Sequence, residues 1–199
     1  RLLRNDGDNL VHFGAAVSSR TLDGMRIDRR PSAHLAEKLK DGVAVADGEF
    51  KYGVEAAWVR GPLSVQAEFM GSSVDGASNF GYEGWYIMGS YFLTGESRPY
   101  DSKKGTFKRV KPAQEFSWGE SWGAVELAVR YGSIDYDDYI VSPKPGVMIP
   151  TIGHKLDDLT VGVNIYHNPT FRTMFNYVYS DMDGGEDVHA FMVRWQIGL

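Results

Sequence analysis

Apolar and polar positions exchange places residue by residue along most of this chain, the period of a β-strand with two unlike faces. Val11, Phe13, Ala15 and Val17 alternate with His12, Gly14, Ala16 and Ser18. Phe50, Tyr52, Val54, Ala56 and Trp58 alternate with Lys51, Gly53, Glu55 and Ala57. Leu63 to Phe69, Trp85 to Leu93, Val125 to Tyr131, Leu159 to Ile165 and Phe171 to Tyr179 repeat the pattern. The closing stretch, VHAFMVRWQIGL, sets Phe191, Val193, Trp195, Ile197 and Leu199 against Ala190, Met192, Arg194, Gln196 and Gly198. Eight strands are predicted.

Two of the joins are very short, Arg60-Gly61-Pro62 and His167-Asn168-Pro169, and carry turn residues. The stretches 21–48, 72–82, 95–120, 134–157 and 181–187 read as loops. The first holds one candidate helix, Pro31 to Lys40.

The aromatic residues decide which face is which. Phe13, Trp58, Phe69, Trp85, Phe175, Tyr177, Phe191 and Trp195 fall on the apolar faces. Lys51, Glu55, Glu68, Glu126, Arg130, Arg172 and Arg194 fall in mid-strand on the others. A soluble sandwich with polar residues facing water gives the same alternation. A transmembrane barrel adds two features: aromatics at strand ends, and short turns at one end with long loops at the other. Both are visible here, and strands of about 10 residues match a tilted span of the hydrocarbon layer. The fold class is therefore all-β, an antiparallel transmembrane β-barrel. If the last strand ends in the periplasm, 21–48, 72–82, 134–157 and 181–187 lie outside the cell. Segment 95–120 is then a long connection on the side of the short turns.

Composition narrows the function. There is no cysteine, which removes disulfides and cysteine metal sites, and the net charge of -5 argues against nucleic-acid binding. No run of 18 apolar residues is present, so no transmembrane helix is expected. No G-x-S-x-G or H-E-x-x-H occurs, and the histidines His12, His34, His154, His167 and His189 are scattered, so no enzyme and no cofactor is indicated. Acidic groups at Asp135, Asp137 and Asp138, at Asp157 and Asp158, and from Asp181 to Asp187 lack EF-hand spacing and read as turn formers. The chain opens on Arg1 just ahead of a strand, and we expect it to be part of something larger.

GYEGWYIMGSYFLTGESRPYDSKKGTFKRVKP (Gly81 to Pro112) resembles the phosphate-selective porin O/P family, as do WGAVELAVRYGSID (Trp122 to Asp135) and LTVGVNIYHNPTFRTMFNYVY (Leu159 to Tyr179). RRPSAHLAEKL and YGVEAAWVRGPLSVQAEFM extend the resemblance over nearly the whole chain, and Leu93 to Arg98 is its most specific piece. The resemblance implies a trimeric outer-membrane barrel of sixteen strands, of which this chain is similar to the C-terminal half. The chain departs from that pattern in two ways. The N-terminal half, with its inward-folded loop, is missing, and Leu199 stands where such barrels usually end in Phe.

An anion channel needs fixed positive charge in a narrow passage, where arginine offers bidentate contact to oxyanions. The inward faces supply Lys51, Arg130, Arg172 and Arg194 against Glu55, Glu68 and Glu126, so each inward arginine can equally be a structural ion pair. Segment 96–111 adds Arg98, Lys103, Lys104, Lys108, Arg109 and Lys111 against Glu96 and Asp101. Such a connection either folds into the barrel mouth, as the resemblance implies, or is a solvated periplasmic face. The expected function is passive diffusion of small hydrophilic solutes, with preference for anions such as phosphate, across the bacterial outer membrane. The alternative is a closed eight-stranded barrel with a filled interior, acting as anchor or adhesin.

Overall fold

The computed structural model describes residues 2–29, 32–33, 40–44, 46–76, 80–136, 155–183 and 186–198. The strands, in chain order, are β1 (Leu2–Asn5), β2 (Asn9–Thr21), β3 (Met25–Arg29), β4 (Lys40–Ala44), β5 (Ala46–Arg60), β6 (Leu63–Gly76), β7 (Phe80–Phe92), β8 (Tyr100–Asp101), β9 (Thr106–Phe107), β10 (Ala124–Tyr136), β11 (Lys155–Tyr166), β12 (Phe171–Met182) and β13 (Val188–Ile197). Nine of them form one antiparallel sheet in the order β1-β2-β5-β6-β7-β10-β11-β12-β13. β3 pairs with β4, and β8 with β9, as separate hairpins inside two connections.

The eight long strands fall on the eight predicted from alternation, and β1 is a ninth that the sequence reading missed. Four residues, Leu-Leu-Arg-Asn, are too few to show a period; β1 is held by its pairing with β2, Leu2 opposite Phe13 and Asn5 opposite Leu10. The stretch 72–82, expected to be a loop, is mostly strand: β6 runs on to Gly76 and β7 begins at Phe80. Ladder hydrogen bonds carry Ser72 opposite Tyr82 and Val74 opposite Phe80, although the local sequence is rich in Gly and Ser. Most of the candidate helix Pro31 to Lys40 lies outside the described residues; Ser32 and Ala33 are non-helical, and Lys40 opens β4. Leu199 also lies outside them.

The faces are inverted relative to a water-soluble sheet. His12, Glu49, Ser64, Ser72, Ser90, Glu126, Asp158 and Ser180 are buried. Phe13, Val17, Trp58, Trp85, Ile87, Val129, Val161, Val193 and Trp195 are exposed, and Phe191 is 77% exposed. Leaving a large apolar side chain in water forfeits about 1.5–3 kcal/mol each. A continuous row of them across the sheet is far beyond the apolar patches that soluble monomers tolerate. The sandwich reading fails on this point.

What covers the polar face is the chain's own connections. At one end of the sheet neighbouring turns are joined to each other: Gly61 N–H donates to Asp8 O, and Phe92 N–H to Pro62 O. From that end the 93–123 connection between β7 and β10 turns onto the polar face. Val110 is buried with Phe92, Ala124 and Tyr166, a small apolar cluster among polar neighbours. At the other end Ala46, Val74 and Phe80 pack with Leu22, Met25 and Tyr82, and seat the start of the β2–β5 connection. β13 pairs with β12 alone and β1 with β2 alone, so among the described residues both edges of the sheet are open.

Candidate functional site

The candidate site is the polar face and the segment laid over it. Register sets its rows. Gly14, Glu55, Glu68 and Tyr86 stand opposite one another from β2 to β7, and Tyr166, Arg172 and Gln196 from β11 to β13. At Gly14 the Glu55 side chain occupies the space a Cβ would take, so a larger residue there would displace Glu55.

Glu126 is the centre of the lower part. It is fully buried, and Arg98 Nη2 pairs with its Oε1. Asn164 Nδ2 and the Tyr166 hydroxyl donate to Oε2 at 2.9 and 2.8 Å. A buried carboxylate is tolerable only when paired and hydrogen-bonded in this way. Arg98 comes from the 93–123 connection, so the pair fastens that connection to β10. Further along, the Tyr100 hydroxyl lies 2.5 Å from His12 Nδ1, and His12 Nε2 lies 2.9 Å from Glu55 Oε1. An ionised carboxylate only accepts, which puts the neutral ring's proton on Nε2 and leaves Nδ1 to accept from tyrosine. Asn5 Nδ2 donates to Ser102 Oγ at 3.0 Å. The hairpin β8–β9 is thus moored to β1 and β2, while Arg109 Nη1 donates to Gly198 O at 3.0 Å beside β13. One connection crosses the polar face almost from edge to edge.

The predicted basic residues separate by partner. Lys51 lies 3.2 Å from Glu49, a fully buried carboxylate that also meets Arg20, Ser72 and Tyr82, so both Lys51 and Arg98 are ion-paired. Arg130 and Arg172 are held by neutral groups. The Arg130 guanidinium stands 4.4 Å over the Tyr86 ring, and its Nη1 donates to Ser32 Oγ at 3.3 Å. Arg172 donates from Nε and Nη2 to Gln196 Oε1 at 3.1 and 2.7 Å and lies 5.6 Å over the Tyr166 ring. Arg194 stands opposite Met174 on the polar face and is exposed, with no hydrogen bond or ion pair among the described residues. Lys103 and Lys104 use their backbone N–H groups on Asp101 Oδ1 and expose their side chains at the hairpin tip. Lys108 lies 3.9 Å from Asp101, and Lys111 is exposed.

Two larger cavities open on this face, beside a small one of about 120 Å³ between His12, Glu55, Tyr100 and Phe107. One of about 590 Å³ is lined by Lys51, Glu55, Glu68, Tyr86 and Arg130, of mixed sign. The other, about 250 Å³, lies between the connection and the β11–β12 turn and brings together Arg98, Lys108, Arg109 and Arg172. Lys103, Lys104, Lys111 and Arg194 line neither. Among the described residues no cluster of His, Asp and Glu is placed to hold a metal ion. Asp158, expected to be a turn former, is instead buried on the polar face, bonded to Ser180 and, at 3.0 Å, to Ser32. His12, Tyr100 and Ser32 were missed as parts of the site because nothing near them in sequence is what they touch. Glu126 was recognisable as inward-facing, but its partner Arg98 lies 28 positions away.

The family described as Phosphate-selective porin O and P matches residues 3–196. The chain is 27% identical over 228 aligned residues to Porin O of Pseudomonas aeruginosa, covering 96% of this chain and 50% of that protein. It is 33% identical over 141 residues to an uncharacterized protein of Caulobacter vibrioides, covering 66% of this chain and 28% of that one. The chain therefore spans at most half the length of these curated relatives. An antiparallel sheet with apolar residues outward and a polar, segment-covered inner face agrees with that match along nearly its whole length: this chain belongs to the phosphate-selective porin O and P family of bacterial outer-membrane proteins.

Proposed function

We propose that this sheet is part of a wider transmembrane barrel, of sixteen strands as the family resemblance implies, whose interior is a diffusion channel for small hydrophilic anions, phosphate among them. The observation that carries the anion preference is the state of Arg130 and Arg172. Both meet neutral partners, and Glu49 and Glu126 are occupied by cations of their own; Arg130 shares its cavity with Glu55 and Glu68, so Arg172 is the one that carries the preference. In a passage with low-dielectric walls such uncompensated charges set the sign of the field. Segment 95–120 lies within the lumen in this reading, on the periplasmic side, and narrows it with a basic strap. The exposed face of Phe13, Trp58, Trp85, Phe175 and Phe191 meets lipid. A trimer fits the same resemblance, and no catalysis is assigned.

Closure supports the wider barrel. Within a bilayer each unpaired backbone N–H and C=O costs several kcal/mol, on the order of 2–7. The open edges of β1 and β13 therefore require further strands, and the relatives are about twice as long as this chain. The anchor reading, a closed barrel of eight strands, has nothing here to favour it. Reversal potentials across a planar bilayer in a potassium chloride gradient test the proposal: the intact protein should prefer chloride, and preference for potassium would overturn it.

A further inference from the structure

The largest cavity interrupts the polar face with a band that is not polar. Register lays out three adjacent rows of inward positions. One holds Gly14, Glu55, Glu68 and Tyr86, and another holds Ser18, Lys51, Ser72 and Tyr82. Between them run Ala16, Gly53, Met70, Gly84 and Ile134, with no polar side chain in the row. Ala16, Gly53 and Gly84 carry a methyl group or nothing, so the row is a hollow between longer neighbours. Met70 Cγ lies 3.4 Å from the place of a Cβ on Gly53, and Ile134 Cγ1 3.4 Å from that on Gly84. The two side chains lie beside the glycines as an apolar floor. They are nonetheless open to the cavity, Met70 being 53% and Ile134 36% exposed. Apolar surface facing a wet passage gains free energy when an apolar group covers it. The hollow, about 590 Å³, falls within the range of about 300–1,000 Å³ of small-molecule sites, which set an apolar wall beside a few placed polar groups.

The charges at its rim differ in what they already meet. Lys51 pairs with Glu49, and Glu55 with His12. Arg130 stands 4.4 Å over the Tyr86 ring, and Glu68 stands opposite Tyr86 in the β6–β7 ladder. Two opposite charges therefore stand beside one ring, and among the described residues no ion pair joins them. A simple anion would be drawn to Arg130, repelled by Glu68, and would leave the apolar floor bare. A solute that carries a carboxylate, an ammonium and an apolar side chain on one carbon satisfies all three features, with arginine offering its fork to the carboxylate.

We propose that this hollow is a binding site for an α-amino acid with an apolar side chain, its carboxylate on Arg130, its ammonium on Glu68 and its side chain on Met70 and Ile134. The site rests on the reading that the polar face lines a channel. It adds a class of solute that positive charge alone does not select.

Titration of leucine into the intact protein in detergent, followed by calorimetry, tests this. Saturable binding is expected. Glycine, which has nothing for the floor, should bind about 10-fold more weakly or worse. Isocaproate and isoamylamine, which lack the ammonium and the carboxylate, should lose about 10-fold or more each, the scale of one charged hydrogen bond. Glu68→Gln should weaken leucine about 10-fold and leave isocaproate no weaker than before. Lys103→Gln, at the hairpin tip outside the cavity, should leave leucine binding unchanged. No saturable leucine binding, glycine or isocaproate equal to leucine, or equal leucine affinity in wild type and Glu68→Gln overturns the site. Conductance of the same protein in a planar bilayer separates the two claims. An ion-conducting protein that does not bind leucine overturns the site and leaves the channel reading standing. A protein that binds leucine with the expected losses but conducts no ions does the reverse.

Discussion

At Glu126 one buried carboxylate fastens the connection between β7 and β10 to the sheet, beside the moorings at His12, Asn5 and Gly198. Its partner Arg98 is itself largely buried, so removing the acid strands a cation. Glu126→Ala should cost about 3–5 kcal/mol, the penalty for breaking a buried pair. Glu126→Gln, which keeps acceptor and donor atoms for Asn164 and Tyr166, should cost less. Urea unfolding in lipid vesicles measures both, and equal costs would mean the charge is not what matters. Glu126, Lys51 and Arg172 could be read as inward charges from the alternation, and Arg98 only as one of the basic residues of a long connection. What each would meet could not, because Arg98 and Lys51 find acids while Arg172 finds an amide and a ring.

The connection between β7 and β10 behaves as an element in its own right. Its hairpin β8–β9 turns at Asp101, whose carboxyl is held below the ordinary aspartate range, first by the Lys104 backbone N–H, then by that of Lys103 and by the Lys108 charge, with burial acting in the opposite direction. The sign follows from a depressed folded value: the turn has its full support above the unfolded value near 3.8 and loses it as pH falls through the lower folded value. Amide exchange at Lys103 and Lys104, corrected for intrinsic rates, should therefore quicken in that acid window. Asp101→Asn should remove the pH step. Val110 anchors the return limb, and Val110→Ala should loosen it by about 1–3 kcal/mol. Trypsin cleavage after Lys108 or Arg109 reads this directly, and unchanged resistance would show that Arg98 and Tyr100 suffice. Glycine at 123 ends the connection at φ +81°, close against the Tyr166 carbonyl, where any side chain would collide. Sequence alone marked this stretch as long and basic. That it carries a hairpin and lies on the sheet depended on contacts with β1, β2 and β13, too distant in sequence for any local pattern to record.

For the whole molecule the decisive property is the inversion of its faces. A charge on the lipid side near mid-membrane costs about 2–4 kcal/mol, whereas one on the inner side does not. Val161→Arg, on the exposed apolar face of β11, should lower folding yield into vesicles accordingly. Thr160→Arg, its neighbour on the opposite face, should fold nearly as well as the parent. Similar yields would deny that the apolar face meets lipid. The two open edges belong to this scale too. Among the described residues β13, ten residues long, is paired on one side only, and inside a bilayer its other backbone row needs a partner.

The eight long strands, their two unlike faces and the family were legible in the sequence, because a period of two is a local property that each strand carries by itself. β1 escaped for want of length, and 72–82 because ladder pairing overrode its Gly and Ser. That the polar face is the inner one was also expected from the sequence; what covers it was decided only by the tertiary structure, which laid two connections over the polar side and left the aromatics uncovered. The same folding sorted the basic residues into those that pair with acids and those, such as Arg172, that meet only neutral groups. Charge on a side chain is a property of the residue; whether it is compensated depends on groups brought together from distant parts of the chain.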